Sequence, residues 1–257
     1  MNFSQQFVAL KTIATKEFLR FIRIWIQTVL PPAISVALYC IIFGELVGSQ
    51  SDDIDGFRYM DFSGRGLILL SVITIASARV VSSVCGAKCH HSVEEMLVSP
   101  LPNNIILMGF VSGGLARGIV VGITVTIVSM FFSDFQIYSY SVTIAVFVLT
   151  SILFALAGFI NAAYARSFDD ITIIPTFVLT PLTYLGGIFY SIKMLPEFWQ
   201  TVSLGNPILY MINAFRYGLL GVSDINLTAA FLIIIGFITV LYYFALRLLR
   251  IGVGLKP

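Results

Sequence analysis

The apolar positions of this chain do not alternate as in a strand or recur as a single helical stripe. They run in long, nearly continuous stretches separated by short polar ones. Stretches of about 20 apolar residues are long enough to cross ~30 Å of hydrocarbon as helices. Six qualify, over residues 27–47, 66–86, 105–132, 142–164, 171–190 and 227–249. Pro175 and Pro181 interrupt the fifth, which a membrane span tolerates where neighbouring helices or water satisfy the freed backbone groups.

Three segments outside these stretches carry other patterns. Phe18, Phe21, Ile22 and Trp25 fall at i, i+3, i+4 and i+7, with Lys16, Arg20 and Arg23 on the opposite side. This predicts a basic amphipathic interfacial helix within residues 1–26 that lies along the inner leaflet, set off from the first span by Gln27 and Pro31-Pro32. The alternative is that these residues simply begin the first span. Between the second and third stretches, Ser92-Val93-Glu94-Glu95-Met96-Leu97 reads as an acidic, amphipathic half-helix ended by Pro100 and Pro102. Such a piece cannot sit in hydrocarbon, so the loop 87–102 is predicted at one membrane face, offered to something soluble. Over 191–226, Leu195, Phe198, Trp199 and Val202, and then Ile208, Ile212, Phe215 and Leu219, have helical spacing, broken at Gly205-Asn206-Pro207. Two short re-entrant helices dipping into the outer leaflet fit that pattern.

Composition agrees with the patterning. The chain has 257 residues, 58% of them hydrophobic and 11% charged, with a mean hydropathy of +0.96. Soluble domains carry about 25% charged residues, so the fold class is an all-α integral membrane protein, a single domain over 1–257 with no internal repeat. A net charge of +2 gives no sign of a nucleic-acid partner. Lys and Arg set the orientation. With the N-terminus inside, Lys11, Lys16, Arg20, Arg23, Lys88, Arg166, Arg247, Arg250 and Lys256 are cytoplasmic, while Arg58, Arg65, Lys193 and Arg216 are outside with Asp52, Asp53, Asp55 and Asp61. Both termini are then cytoplasmic, and no cleavable signal is expected.

Candidate chemistry is sparse. There is no G-x-x-x-x-G-K-[ST], H-E-x-x-H or G-x-S-x-G, so no catalytic residue, cofactor or nucleotide site is predicted. Cys85, Cys89, His90 and His91 are candidate zinc ligands by type, but their spacing cannot place four ligands tetrahedrally from one helix, and a juxtamembrane helix end is the reading kept. Arg79 and Arg117 lie within the second and third spans, in their cytoplasmic halves, with no acid at matching depth. They either snorkel to the interface or face a water-filled pathway that attracts an anionic group. Gly114, Gly118 and Gly122 repeat every four residues on the third span and predict close helix packing.

Several motifs in order resemble the type-2 ABC transporter permease family across residues 8–250. They are Glu94-Glu95-Met96-Leu97-Val98-Ser99-Pro100-Leu101-Pro102, Phe168-Asp169-Asp170, the run from Pro175 to Tyr190, Leu195-Pro196-Glu197-Phe198-Trp199, Asn206-Pro207-Ile208-Leu209-Tyr210 and Phe215-Arg216-Tyr217-Gly218. The resemblance implies a six-span permease subunit that pairs with a second copy of itself and is driven by a separate P-loop ATPase. It implies that Ser92, Val93, Glu94, Glu95, Met96 and Leu97 form the helix that couples to that ATPase, and it leans toward export. Membrane lipids are expected neighbours, and a hydrophobic or lipid-like substrate suits the Phe-rich spans. Two departures are Gly64-Arg65-Gly66, where relatives open the second span with Pro-Gly, and His90-His91, where they often carry basic residues. The alternative from another class is a stand-alone proton-driven exporter, for which Glu45 is the candidate carboxylate.

Overall fold

A computed structural model describes residues 2–46, 59–90, 92–132, 137–165, 167, 169–252 and 254. The described residues are helical, with no strand among them. The helices are α1 (Phe3–Arg23), α2 (Trp25–Leu46), α3 (Tyr59–Cys89), α4 (Ser92–Val98), α5 (Asn103–Met130), α6 (Tyr140–Tyr164), α7 (Thr180–Tyr184), α8 (Glu197–Leu204), α9 (Pro207–Leu220) and α10 (Leu227–Ile251). Among them, α2, α3, α5, α6 and α10 are long and apolar enough to cross a membrane.

The joint between α1 and α2 falls at Ile24, one residue wide, and not at Pro31-Pro32. Both prolines lie inside α2. A proline inside a helix removes the N–H that would bond the carbonyl four residues back, which for Pro31 is that of Gln27. Arg79 on α3 donates to that carbonyl at 2.7 Å, so a side chain from the neighbouring helix replaces the missing backbone bond.

The stretch 171–190 is not one long helix. A 3₁₀ turn (Asp170–Thr172), a wide π-helical turn (Pro175–Leu179) and α7 follow one another. Pro175 and Pro181 each remove a donor, and the backbone re-forms around them with wider spacing: the Thr180 backbone N–H reaches the Pro175 carbonyl five residues back, and its hydroxyl donates to the same oxygen at 3.0 Å.

Two buried apolar clusters stack along the bundle. One holds Val80, Val81 and Val84 of α3, Val93 of α4, Ile106, Leu107 and Phe110 of α5, Leu156 and Phe159 of α6, and Leu248 and Leu249 of α10. The other holds Ile188, with Val36 of α2, Ile68 and Ile73 of α3, Val121 and Val125 of α5, Ile208, Met211, Ile212 and Phe215 of α9, and Ala230 and Ile234 of α10. The late residues of α6 and of α10 therefore share the α4 end, whereas α10 begins at the far end. The segment 169–190 carries the chain between those two ends.

Long helices this close need small residues at the crossings. A Cβ on Gly158 of α6 would come 2.5 Å from the Ser77 carbonyl of α3, and one on Gly66 of α3 would come 2.7 Å from the Ile188 carbonyl. The Gly64-Arg65-Gly66 motif thus lies within α3, with Gly66 where the backbone of 185–190 approaches.

Candidate functional site

The α4 end collects most of the residues with chemical character. α4 is a seven-residue helix between the ends of α3 and α5, anchored by Val93, which is buried in the apolar cluster beneath it. Met96 and Leu97 pack against the same cluster, while Glu95 is exposed and Val98 is 88% exposed. The helix is closed by Ser99, whose backbone N–H bonds Glu95 O at 3.1 Å and whose hydroxyl donates to Met96 O at 2.7 Å. Pro102 then caps the start of α5, so two helices nearly meet at α4 with little slack.

Helix α3 continues through Lys88 and Cys89, so the loop begins later than residue 87. The Lys88 ammonium donates to Ala162 O, Ala163 O and Ala165 O at 3.0, 3.3 and 2.7 Å. Those are the carbonyls a helix C-terminus leaves without intrahelical partners, and a cation there also complements the helix dipole. Cys85 is buried and Cys89 exposed on the last turns of α3. His90 follows, and His91 lies outside the described residues.

The two arginines of the second and third spans are brought together, and with an acid. Arg117 is 2% exposed and forms an ion pair with Glu17 of α1, which is itself 2% exposed, at 3.2 Å. The same guanidinium donates to Glu17 O at 3.1 Å and to Arg79 O at 3.3 Å. Ser83 of α3 donates to the other Glu17 carboxylate oxygen at 2.6 Å. The expectation that no acid lies at matching depth is corrected here: the partner comes from the amphipathic helix, about 100 positions away. Glu17 lies between Lys16 and Phe18 on α1, and its position beside the polar face gives no sign of burial. Its neighbours at helical spacing, Ile13 and Phe21, are the buried ones, while Phe18, Ile22 and Trp25 are about half exposed.

The glycines of α5 divide between two faces. Gly114, Gly118 and Gly122 face α3 and α6: a Cβ would meet Val80 and Ala155 at position 114, Ser151 at 118, and Phe147 at 122. Gly109 and Gly113 face α1 instead, against Ile13 and Glu17.

At the far end, Arg216 lies 3.5 Å over the Phe62 ring and donates to Gly187 O at 2.8 Å. It is buried, as is Arg65. Lys193 pairs with Asp224 at 3.0 Å. Of the cations assigned to the outer side, Arg65 and Arg216 are thus internal to the fold, Lys193 is exposed, and Arg58 lies outside the described residues. Glu45 belongs to α2, and its side chain is outside the described set.

Long apolar helices around a tight polar knot, with a short acidic helix held at one end, define a multi-pass membrane protein. Comparison with known sequences narrows the class. Residues 8–220 match the family described as ABC-2 type transporter. The chain is 52% identical over 249 residues to the Inner membrane transport permease YadH of Escherichia coli (strain K12), with 97% of each chain covered, and to the permease of the same name in Shigella flexneri. Nodulation protein J of Rhizobium leguminosarum bv. viciae is 24% identical over 214 residues, 83% of each chain. This chain therefore belongs to the ABC-2 type transporter family of membrane transport permeases.

Proposed function

We propose that this chain is the membrane subunit of an ATP-driven exporter, working as a homodimer with a separate P-loop ATPase that docks on α4. The observation that carries the reading is the mounting of α4: Val93 fixed in the bundle, Glu95 and Val98 turned outward, and α3 and α5 leaving directly from either end. Force applied to such a helix passes into two long helices rather than into a flexible loop. Closure of an ATPase pair would move the two copies of α4 and switch the bundle between an inward-facing and an outward-facing cavity.

The segment 169–190 counts in this reading as a sixth, discontinuous crossing. It supports an even number of passages, because α1 and the end of α10 share the α4 end. That end is cytoplasmic by its excess of Lys and Arg, an excess that sharpens once Arg65 and Arg216 are recognised as buried. The membrane is the bacterial inner membrane, as in the name of the Escherichia coli relative. An opening of about 250 Å³ beside this crossing, lined by Thr74, Thr180, Thr183 and Tyr184 among apolar residues, is a route on which a hydrophobic substrate with a polar group can travel. Half-buried Arg79 borders the cytoplasmic half of such a route, whereas Arg117 is enclosed against Glu17. The proton-driven alternative rests on Glu45, whose side chain lies outside the described residues.

The test is to purify tagged protein in mild detergent and identify what accompanies it. The expected result is a stoichiometric P-loop ATPase, lost from the Glu94→Lys/Glu95→Lys variant while the chain itself stays in the membrane. Unchanged ATPase recovery with that variant would remove α4 as the docking element.

A further inference from the structure

We infer that Glu17 is a positioning residue for energy coupling: with Arg117 and Ser83 it clasps α1 to the α3–α4–α5 hairpin, so that α1 moves with α4 as a second lever. The inference rests on the reading of α4 as the element the ATPase moves.

Four features converge on it. Both partners of the ion pair are enclosed, so the pair is screened little by solvent, and removing one partner would strand a buried charge. Glu17 uses both carboxylate oxygens, one toward α5 and one toward α3, and its backbone carbonyl also accepts from Arg117. A second tie runs in the opposite direction: Arg20 of α1 donates to the Ser83 hydroxyl at 3.1 Å and to Ser82 O at 3.4 Å. Finally, Gly109 and Gly113 bring the α5 backbone onto Ile13 and Glu17, so α1 is seated sterically where the clasp closes. By contrast, α1 meets α2 through a one-residue joint at Ile24. Polar ties over a close seat on one side and a short joint on the other are the arrangement of a lever fixed to the hairpin and hinged to the first span.

The experiment uses spin labels on exposed positions, Lys16→Cys on α1, Val98→Cys on α4 and Thr228→Cys at the start of α10, with native cysteines replaced and labelled chains diluted with unlabelled ones. In lipid nanodiscs the 16–98 distance is expected to be narrowly distributed, and to broaden and lengthen with Glu17→Gln. Because Glu17→Gln can impair folding, a second variant, Glu17→Met with Arg117→Met, removes both charges together and keeps apolar bulk, a replacement that leaves no unpaired charge. It is expected to broaden the distance in the same way. In the complex with its co-purified ATPase, ATP and vanadate are expected to shift the 98–228 and 16–228 distances together in the parent. In either variant only the 16–228 shift is lost.

A narrow 16–98 distance in both variants, or a 16–228 distance that stays still in the parent while 98–228 moves, would overturn the inference. If 98–228 itself does not respond to nucleotide, the docking reading of α4 fails, and the lever fails with it. The 16–98 width in nanodiscs still decides whether the clasp holds α1, so the two failures are told apart.

Discussion

Pro31 and Arg79 form a pair whose energetics can be worked out from the structure. In a regular helix the N–H of residue 31 would bond Gln27 O; Pro31 has none, and Arg79 donates to that oxygen at 2.7 Å. Truncation in Arg79→Leu leaves the carbonyl without its donor. A hydrogen bond to a charged group contributes about 1.5–3 kcal/mol, and because Arg79 is only half-buried, water recovers part of this, leaving a cost of about 1–1.5 kcal/mol. In a Pro31→Ala background the helix supplies its own N–H to Gln27, and Arg79→Leu should then cost only its lost stem packing, about 0.5 kcal/mol. Removing Arg79 also relieves repulsion with Arg117 and Arg20, but that gain occurs in both backgrounds and cancels in the cycle.

The lost stem packing is common to both backgrounds, so the double-mutant cycle should show a coupling of about 1–1.5 kcal/mol between Pro31 on α2 and Arg79 on α3. Unfolding by SDS in mixed micelles, followed by the fluorescence of Trp25 and Trp199, gives the four free energies. Costs that add within about 0.3 kcal/mol would refute the reasoning. The same four proteins also address the pathway. If Arg79 additionally attracts an anionic substrate, transport lost in Arg79→Leu stays lost when Pro31→Ala restores stability.

Other outcomes follow from the same geometry. Lys88→Met should destabilise by about 1–3 kcal/mol by freeing three carbonyls at the end of α6, seen as faster amide exchange over residues 162–165 while the amides of α9 stay protected. Gly113→Leu should force α1 off α5, at a cost of about 1–3 kcal/mol for overpacking, whereas Gly236→Leu, where a Cβ meets nothing within 4 Å, should change thermal stability little. Arg216→Lys keeps the charge but loses the flat face over Phe62, and a lowered melting temperature of the purified protein checks it. With Cys40 and Cys85 buried and Cys89 exposed, a membrane-impermeant maleimide should label the native protein at Cys89 in inside-out vesicles and not in intact spheroplasts. Labelling from the outside would reverse the proposed orientation.

What was legible in the sequence was what depends on local pattern and on the solvent. Hydrocarbon admits only long stretches whose backbone bonds are satisfied internally, so the bounds of α2, α3, α5, α6 and α10 fall within a few residues of the apolar stretches except where α3 extends seven residues further at its start. The break at Gly205-Asn206-Pro207 and the stop after Val98 are local backbone chemistry, and they too were legible.

Tertiary structure decided where the rare polar groups go. Nothing in the spacing of Glu17, Ser83 and Arg117 says that they meet, because a buried ion pair depends on which helix faces cross and how closely glycines let them approach. The prolines show the same division. A sequence records that Pro31 and Pro175 remove a donor, but whether the helix breaks, widens or borrows a donor depends on what lies beside it. At Pro31 it was an arginine from α3 and the helix continued; at Pro175 the turn widened and the long span became short pieces. Local pattern determined which segments are helical, and the packing of those helices against one another determined which charges could be buried and what they hold in place.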